Sequence, residues 1–88
     1  PGKYLMNGRM GIDELEQILA LELPVGNYET LGGFLMFKLG KVPQRKEKLE
    51  YSGINFIIEN ADQKSIREVM VVIPEGLVRE IRKKPERQ

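Results

Sequence analysis

At 88 residues, 41% hydrophobic and 31% charged, the chain is long enough for one small domain and too short for two. A domain of this size buries only about 60 to 65% of its unfolded surface, which allows one modest core and little room for an internal catalytic cavity. Fourteen basic residues against thirteen acidic leave a net charge of +1, too balanced for the broad positive field of a dedicated nucleic-acid binder.

The missing residue types narrow the chemistry. There is no Cys, hence no disulfide, no thiolate nucleophile and no zinc site built on sulfur. There is also no His, which removes the usual general base near neutral pH and the imidazole ligand of most transition-metal sites. A metal would need carboxylate or carbonyl oxygens. No apolar run approaches the ~20 residues that span a bilayer. The start, Pro1-Gly2-Lys3, carries neither an initiator Met nor a signal stretch, and the chain is expected to be a fragment of something longer.

Tyr4-Leu5-Met6, closed by Asn7-Gly8, predicts a brief strand ended by a turn. Ile12, Leu15, Ile18 and Leu19 then form an amphipathic stripe, and Asp13 with Glu16 matches a capping box. The helix is expected from about Asp13 to Leu21, ended by Pro24, with a turn at Gly26-Asn27. Thr30 is the N-cap of a second helix through Leu39, stopped by Gly40 and Pro43. Leu31, Phe34, Leu35, Met36, Phe37 and Leu39 cover most of its circumference, so it is either buried on several sides or faces a partner. Gly32-Gly33 in its first turn costs about 1 kcal/mol per glycine in helix propensity, which points to a close backbone approach.

The second half reads as strands. Lys48 to Tyr51 alternates, Ser52-Gly53 is a turn, and Ile54, Phe56 and Ile58 alternate before a polar loop from Asn60 to Lys64. Ser65 to Ile73 follows, with Ile66, Met70 and Val72 on one face and Val69, Val71 and Ile73 on the other, as in a central strand. Pro74-Glu75-Gly76 ends it. Residues 1–76 form the domain, and 77–88 a tail that is a short helix or disordered.

Several groups carry a candidate role beside a plainer one. Thr30, Gly32 and Gly33 form either a small anion cradle at a helix start or a close packing contact. Asp13, Glu14 and Glu16 are oxygen ligands for magnesium or calcium, or a solvated helix face. The tail cations Arg79, Arg82, Lys83, Lys84 and Arg87 meet acidic lipid or nucleic acid, or only water. Tyr28, Phe34, Phe37 and Phe56 are a base-stacking platform or core aromatics.

The string Asn7-Gly8-Arg9, Ile12-Asp13-Glu14-Leu15, Leu23-Pro24, Tyr28-Glu29-Thr30-Leu31-Gly32-Gly33 and Leu39-Gly40-Lys41-Val42-Pro43 resembles the CorC/HlyC transporter-associated domain, with Ile66-Arg67-Glu68-Val69 also similar. The resemblance covers roughly residues 4 to 72. It implies the C-terminal cytoplasmic module of a larger protein, attached to CBS and transmembrane domains and associated with magnesium and cobalt efflux or haemolysin-like activity. It also implies an α+β fold of two helices on a small, mainly antiparallel sheet, similar to PCMH-type FAD-binding domains. Flavin or adenine-nucleotide binding follows from that analogy only. Where the family commonly has Gly-Asp after the helix-ending Pro, this chain has Gln44-Arg45-Lys46-Glu47, which puts a tight turn there in doubt.

The reading is thus a non-catalytic regulatory module at the cytoplasmic face of the membrane, forming a homo-oligomer without nucleic acid and biasing a transporter's conformational equilibrium through contacts. Thr30, Gly32 and Gly33 shape the helix start, and Leu35, Met36 and Phe37 form the contact surface. The rival readings are a nucleotide or flavin sensor at Gly32-Gly33 and a nucleic-acid adaptor using Lys41, Arg45, Lys46 and Lys48 with the tail.

Overall fold

In the computed structural model, whose described residues are 2–76, the elements run β1 (Lys3–Asn7), α1 (Ile12–Leu19), α2 (Leu31–Leu39), β2 (Lys48–Tyr51), β3 (Ile54–Ala61) and β4 (Ile66–Val72). The expectations placed on residues 77–88 lie outside the described residues.

The strands form one sheet in the order β1-β4-β3-β2, every neighbouring pair antiparallel. The α+β architecture therefore stands as expected, with β4 inside the sheet. Alternation sends Ile54, Phe56, Ile58, Val69 and Val71 to one face, where they are buried. Leu15 and Leu19 of α1 and Leu31, Phe34 and Leu35 of α2 pack onto that face and complete the core. Phe34 sits at its centre, with ring centroids 5.6 Å from Tyr51 and 6.2 Å from Phe56, both edge-on. Fully burying one such side chain contributes about 1.5 to 3 kcal/mol, so these apolar layers carry most of the stabilisation.

Turn chemistry sets the strand pairing. Ser52 and Gly53 both have positive φ, 52° and 81°, as the two-residue hairpin between β2 and β3 requires, and Tyr51 pairs Ile54 across it. Between β3 and β4 the register slips twice: Ile58 pairs Val69, Asn60 pairs Glu68 and Ala61 pairs Ile66. Glu59 and Arg67 are the extra residues of two offset bulges. The second bulge inverts the alternation along β4. Ile66 consequently joins Val69 and Val71 in the core instead of sharing a face with Met70 and Val72, correcting the sequence expectation.

The helices differ from expectation in three places. α1 ends at Leu19 because Ala20 adopts the left-handed conformation (φ 55°), four residues before Pro24. Its N-cap is Gly11, with no side-chain cap, and the Glu16 carboxylate instead accepts from the Leu23 amide at 2.8 Å, so Asp13 and Glu16 form no capping box. Ile18, assigned to the apolar stripe, is 42% exposed. α2 follows expectation at both ends: the Thr30 hydroxyl oxygen accepts from the Gly33 amide at 3.1 Å, and Gly40 closes the helix at φ 77°.

The doubt over residues 44–47 is also resolved. A tight turn forms without Gly-Asp: the Glu47 amide donates to the Gln44 carbonyl at 3.1 Å, with Lys46 held at φ 77°. The Glu47 carboxylate secures it, accepting from Lys41 Nζ at 2.8 Å and from the Gln44 amide at 2.6 Å. The ammonium of Lys41 and then that amide lower the carboxyl's pKa below its ordinary value.

Candidate functional site

Asn7 ends β1 and Gly8 follows it, Thr30 caps α2 and Gly32-Gly33 lie in its first turn, and residues 60–68 run from the end of β3 into β4, so three chain segments converge beside one another. Between them opens a polar groove of about 450 Å3. Gly8 and Gly32 make the convergence possible. A Cβ on Gly8 would collide with the Ile66 carbonyl, and one on Gly32 would lie 3.1 Å from the Gly8 carbonyl oxygen and 3.4 Å from Ile66 Cβ. The two glycines let the helix start, the strand end and the bulged strand approach backbone to backbone.

That approach also determines what the helix start can bind. The Leu31 amide donates to the Met10 carbonyl at 2.8 Å, Gly32 to the Gly8 carbonyl at 2.8 Å, and Phe34 to the Thr30 carbonyl at 2.8 Å. With Gly33 held by Thr30, all four leading amides of α2 have partners within the chain. An anion cradle at a helix N-terminus works through free amides. Thr30, Gly32 and Gly33 are therefore brought together as expected, but as a packing joint. The Ile12 amide donating to the Glu29 carbonyl at 3.0 Å fastens α1 to the same joint.

The groove also contains residues to which the sequence reading gave no site role, using them as turn or strand markers and in the family resemblance. Arg9, Arg67 and Glu68 line it, with Asn7 and Asn60. Asp62 beside it is an organiser: one carboxylate oxygen accepts from the amides of Lys64 and Ser65, each at 2.8 Å, and the other from Arg67 Nε at 3.0 Å. The Lys64 and Ser65 amides, then Arg67, hold its pKa down at about 2. The signal for this loop was an Asp three residues before a Ser, which is legible as a turn but not as the clamp on Arg67.

The other candidates disperse. Leu35, assigned to a contact surface, is fully buried in the core, because it occupies the face of α2 turned to the sheet. Met36 is part-buried beside the groove, and Phe37 is 50% exposed, its ring 5.2 Å from that of Tyr28. Phe34 and Phe56 are core aromatics, so the four aromatic rings present no stacking platform. Among the described residues, no three acidic side chains converge to hold a metal, Asp13, Glu14 and Glu16 included. Lys41 is paired with Glu47 and Lys46 with Glu59, while Arg45 Nε donates to the Glu59 carbonyl, which weakens any cationic stripe at this edge.

Sheet, helices and joint together define, among the described residues, a small α+β module with a polar groove beside the joint. The profile of the family described as "Transporter associated domain", CorC_HlyC, matches residues 1–75, and the chain belongs to that family. It is 39% identical over 70 residues to the polyamine export protein of Salmonella typhimurium, covering 77% of this chain and 16% of that protein. It is 36% identical over 48 residues to the magnesium and cobalt efflux protein CorC of Buchnera aphidicola, covering 54% of this chain and 16% of that protein. A solved CorC_HlyC domain from Nitrosomonas europaea superposes with a TM-score of 0.76 at 28% identity, covering 82% of this chain and 87% of that one. The chain spans about a sixth of the length of the exporters it matches. No helix among the described residues is long and apolar enough to cross a membrane.

Proposed function

We propose that this chain is a non-catalytic regulatory module, on the cytoplasmic face of the membrane, of a protein that exports cationic cargo, and that it modulates export through contacts with neighbouring domains or with another subunit. The observation that carries the reading is membership of the transporter-associated family across residues 1–75. The relatives' names supply the cargo class: polyamines in one case, magnesium and cobalt in another, all cations. A contact module needs exposed apolar anchors on a rigid frame, and Phe37 beside Tyr28 on α2 is one such anchor. By binding two states of the transporter with different affinity, it would shift the equilibrium between them.

The test is made in the parent protein. Phe37→Glu should change cation export by about 5-fold or more, the lower end of ordinary coupling between sites, while expression and membrane insertion stay normal. Cobalt and polyamine tolerance measured side by side identify the cargo. Export unaffected by complete removal of the module would end the reading.

A sensor of adenine nucleotide or flavin is the second reading, and the polar groove with Arg9 and Arg67 favours it. Its phosphate contacts would have to come from those side chains, since the α2 amides are occupied. A thermal-shift screen with ATP, AMP and FAD decides: a ligand bound only by the folded state at 100 times its Kd adds about 2.7 kcal/mol. No shift at millimolar ligand removes this reading.

A further inference from the structure

The described helices cover one face of the sheet, and the other face carries an ordered pattern. Strand register places Leu5, Met70, Ile57 and Lys48 side by side, one from each strand. The adjoining row reads Lys3, Val72, Asn55 and Glu50. Leu5 is 57% exposed, and Met70, Ile57 and Val72 are part-buried, so an apolar stripe crosses β1, β4 and β3. Lys3 and Glu50 stand at opposite edges of the sheet, on β1 and β2. Both are exposed, and neither has an ion-pair partner among the described residues.

We propose that this face docks a second copy of the chain, face to face, about a two-fold axis parallel to the strands and passing between β4 and β3. That rotation lays β1 of one copy over β2 of the other. Lys3 then faces Glu50 of the partner subunit, and Met70 faces the partner's Ile57. Leu5 covers the aliphatic stem of the partner's Lys48. Each contact occurs twice, as in any isologous interface. Packed sheets lie about 10 Å apart and turned by about 30°, a gap that an extended Lys and Glu close together. A two-fold perpendicular to the strands and centred on the Met70 row would instead set Val72 against the partner's Glu68 carboxylate and desolvate a charge without a partner. Opposite charges at opposite ends of one row are thus self-complementary about the axis parallel to the strands.

Size sets the strength. Four strands about 4.8 Å apart and about five residues long offer a face of roughly 20 by 17 Å, which places the contact at the small, transient end of interfaces. Such a dimer fits a module that changes partners as a transporter cycles; in that sense it rests on the contact reading above.

Sedimentation equilibrium of the 88-residue chain from about 5 to about 500 μM should show monomer passing to dimer. Lys3→Glu alone and Glu50→Lys alone should each weaken association by about 5- to 10-fold through like-charge contact, and the double variant should recover to within about 2-fold. Met70→Lys should abolish association, and circular dichroism melts check that every variant is folded. A chain monomeric throughout, or a double variant no tighter than the singles, overturns the proposal. So does association that ignores Lys3→Glu but is lost with Phe37→Glu, which would assign the interface to α2. No transporter enters the measurement, so a monomer that still modulates export removes this interface and leaves the regulatory reading intact.

Discussion

The two helices pack on the same sheet face but are held in different ways. α1 starts at Gly11 without a side-chain cap, and its Glu16 is committed to Leu23, well beyond its own end. α2 starts with a hydroxyl cap, and every leading amide is matched, two of them by carbonyls from the segment that follows β1. Its first turn is glycine-rich and intrinsically poor at forming helix, yet it is the better anchored of the two. The comparison teaches that tertiary hydrogen bonds and close backbone contact can place a helix that propensity would not.

The strongest way to break the comparison is through the core. Phe34→Ala should destabilise by about 3 to 5 kcal/mol, whereas Ile18→Ala on the exposed side of α1 should stay within about 0.5 kcal/mol, both read by denaturant unfolding. If Ile18 proves as costly, the two helices are equally embedded.

Next in size is the joint. Gly8→Ala must displace the Ile66 carbonyl and should cost about 3 kcal/mol, and Gly32→Ala, with contacts at 3.1 and 3.4 Å, about 1 kcal/mol. Urea midpoints rank the pair. A neutral Gly8→Ala would show that α2 does not depend on the backbone contact.

The caps come third. Thr30→Ala should cost about 1 kcal/mol, and Glu16→Gln, which keeps an acceptor for Leu23, about half of that. Amide exchange should then report looser protection at Gly33 in the first variant and at Leu23 in the second. Equal effects at both amides would merge the two ends into one cooperative unit.

The smallest effect is reached by acid. Asp62 has its carboxyl pKa lowered from 3.8 to about 2 in the folded chain, so its contribution is complete above about pH 4 and is lost as pH falls toward 2. NMR shifts of the Lys64 and Ser65 amides, with those of Gly32 across Ile66, should move through that window while α1 resonances hold still. Amides at 64 and 65 that ignore this range would separate the loop from its carboxylate.

Much of this was legible in the sequence for local reasons. Thr30 before an apolar run and Gly40 after it bound α2, and Ser52-Gly53 between alternating segments fixes a hairpin. What escaped was non-local. The bulge that turns Ile66 inward depends on how β3 and β4 pair, and the burial of Leu35 depends on which side of an almost wholly apolar helix meets the sheet. Glu16 looked like a capping residue because its spacing suits one, and only the return of the chain at Leu23 shows the bond it makes. At the candidate site, Thr30, Gly32 and Gly33 were found by pattern, whereas Gly8 and Arg67 required the fold that brings them there.

The outermost strand pairing has a mechanical consequence. Lys3 pairs with Val72, and the Ile73 amide donates to the Gly2 carbonyl at 2.6 Å, so the first and last segments of the sheet leave it side by side at the same end. Tension drawn along the chain through both would load these bonds one after another from that end, like a zipper, instead of sharing the force among all of them. The β1–β4 seam is then the place where a pull from outside opens the domain first, exposing the edge of β4 before the hairpin of β2 and β3 is disturbed.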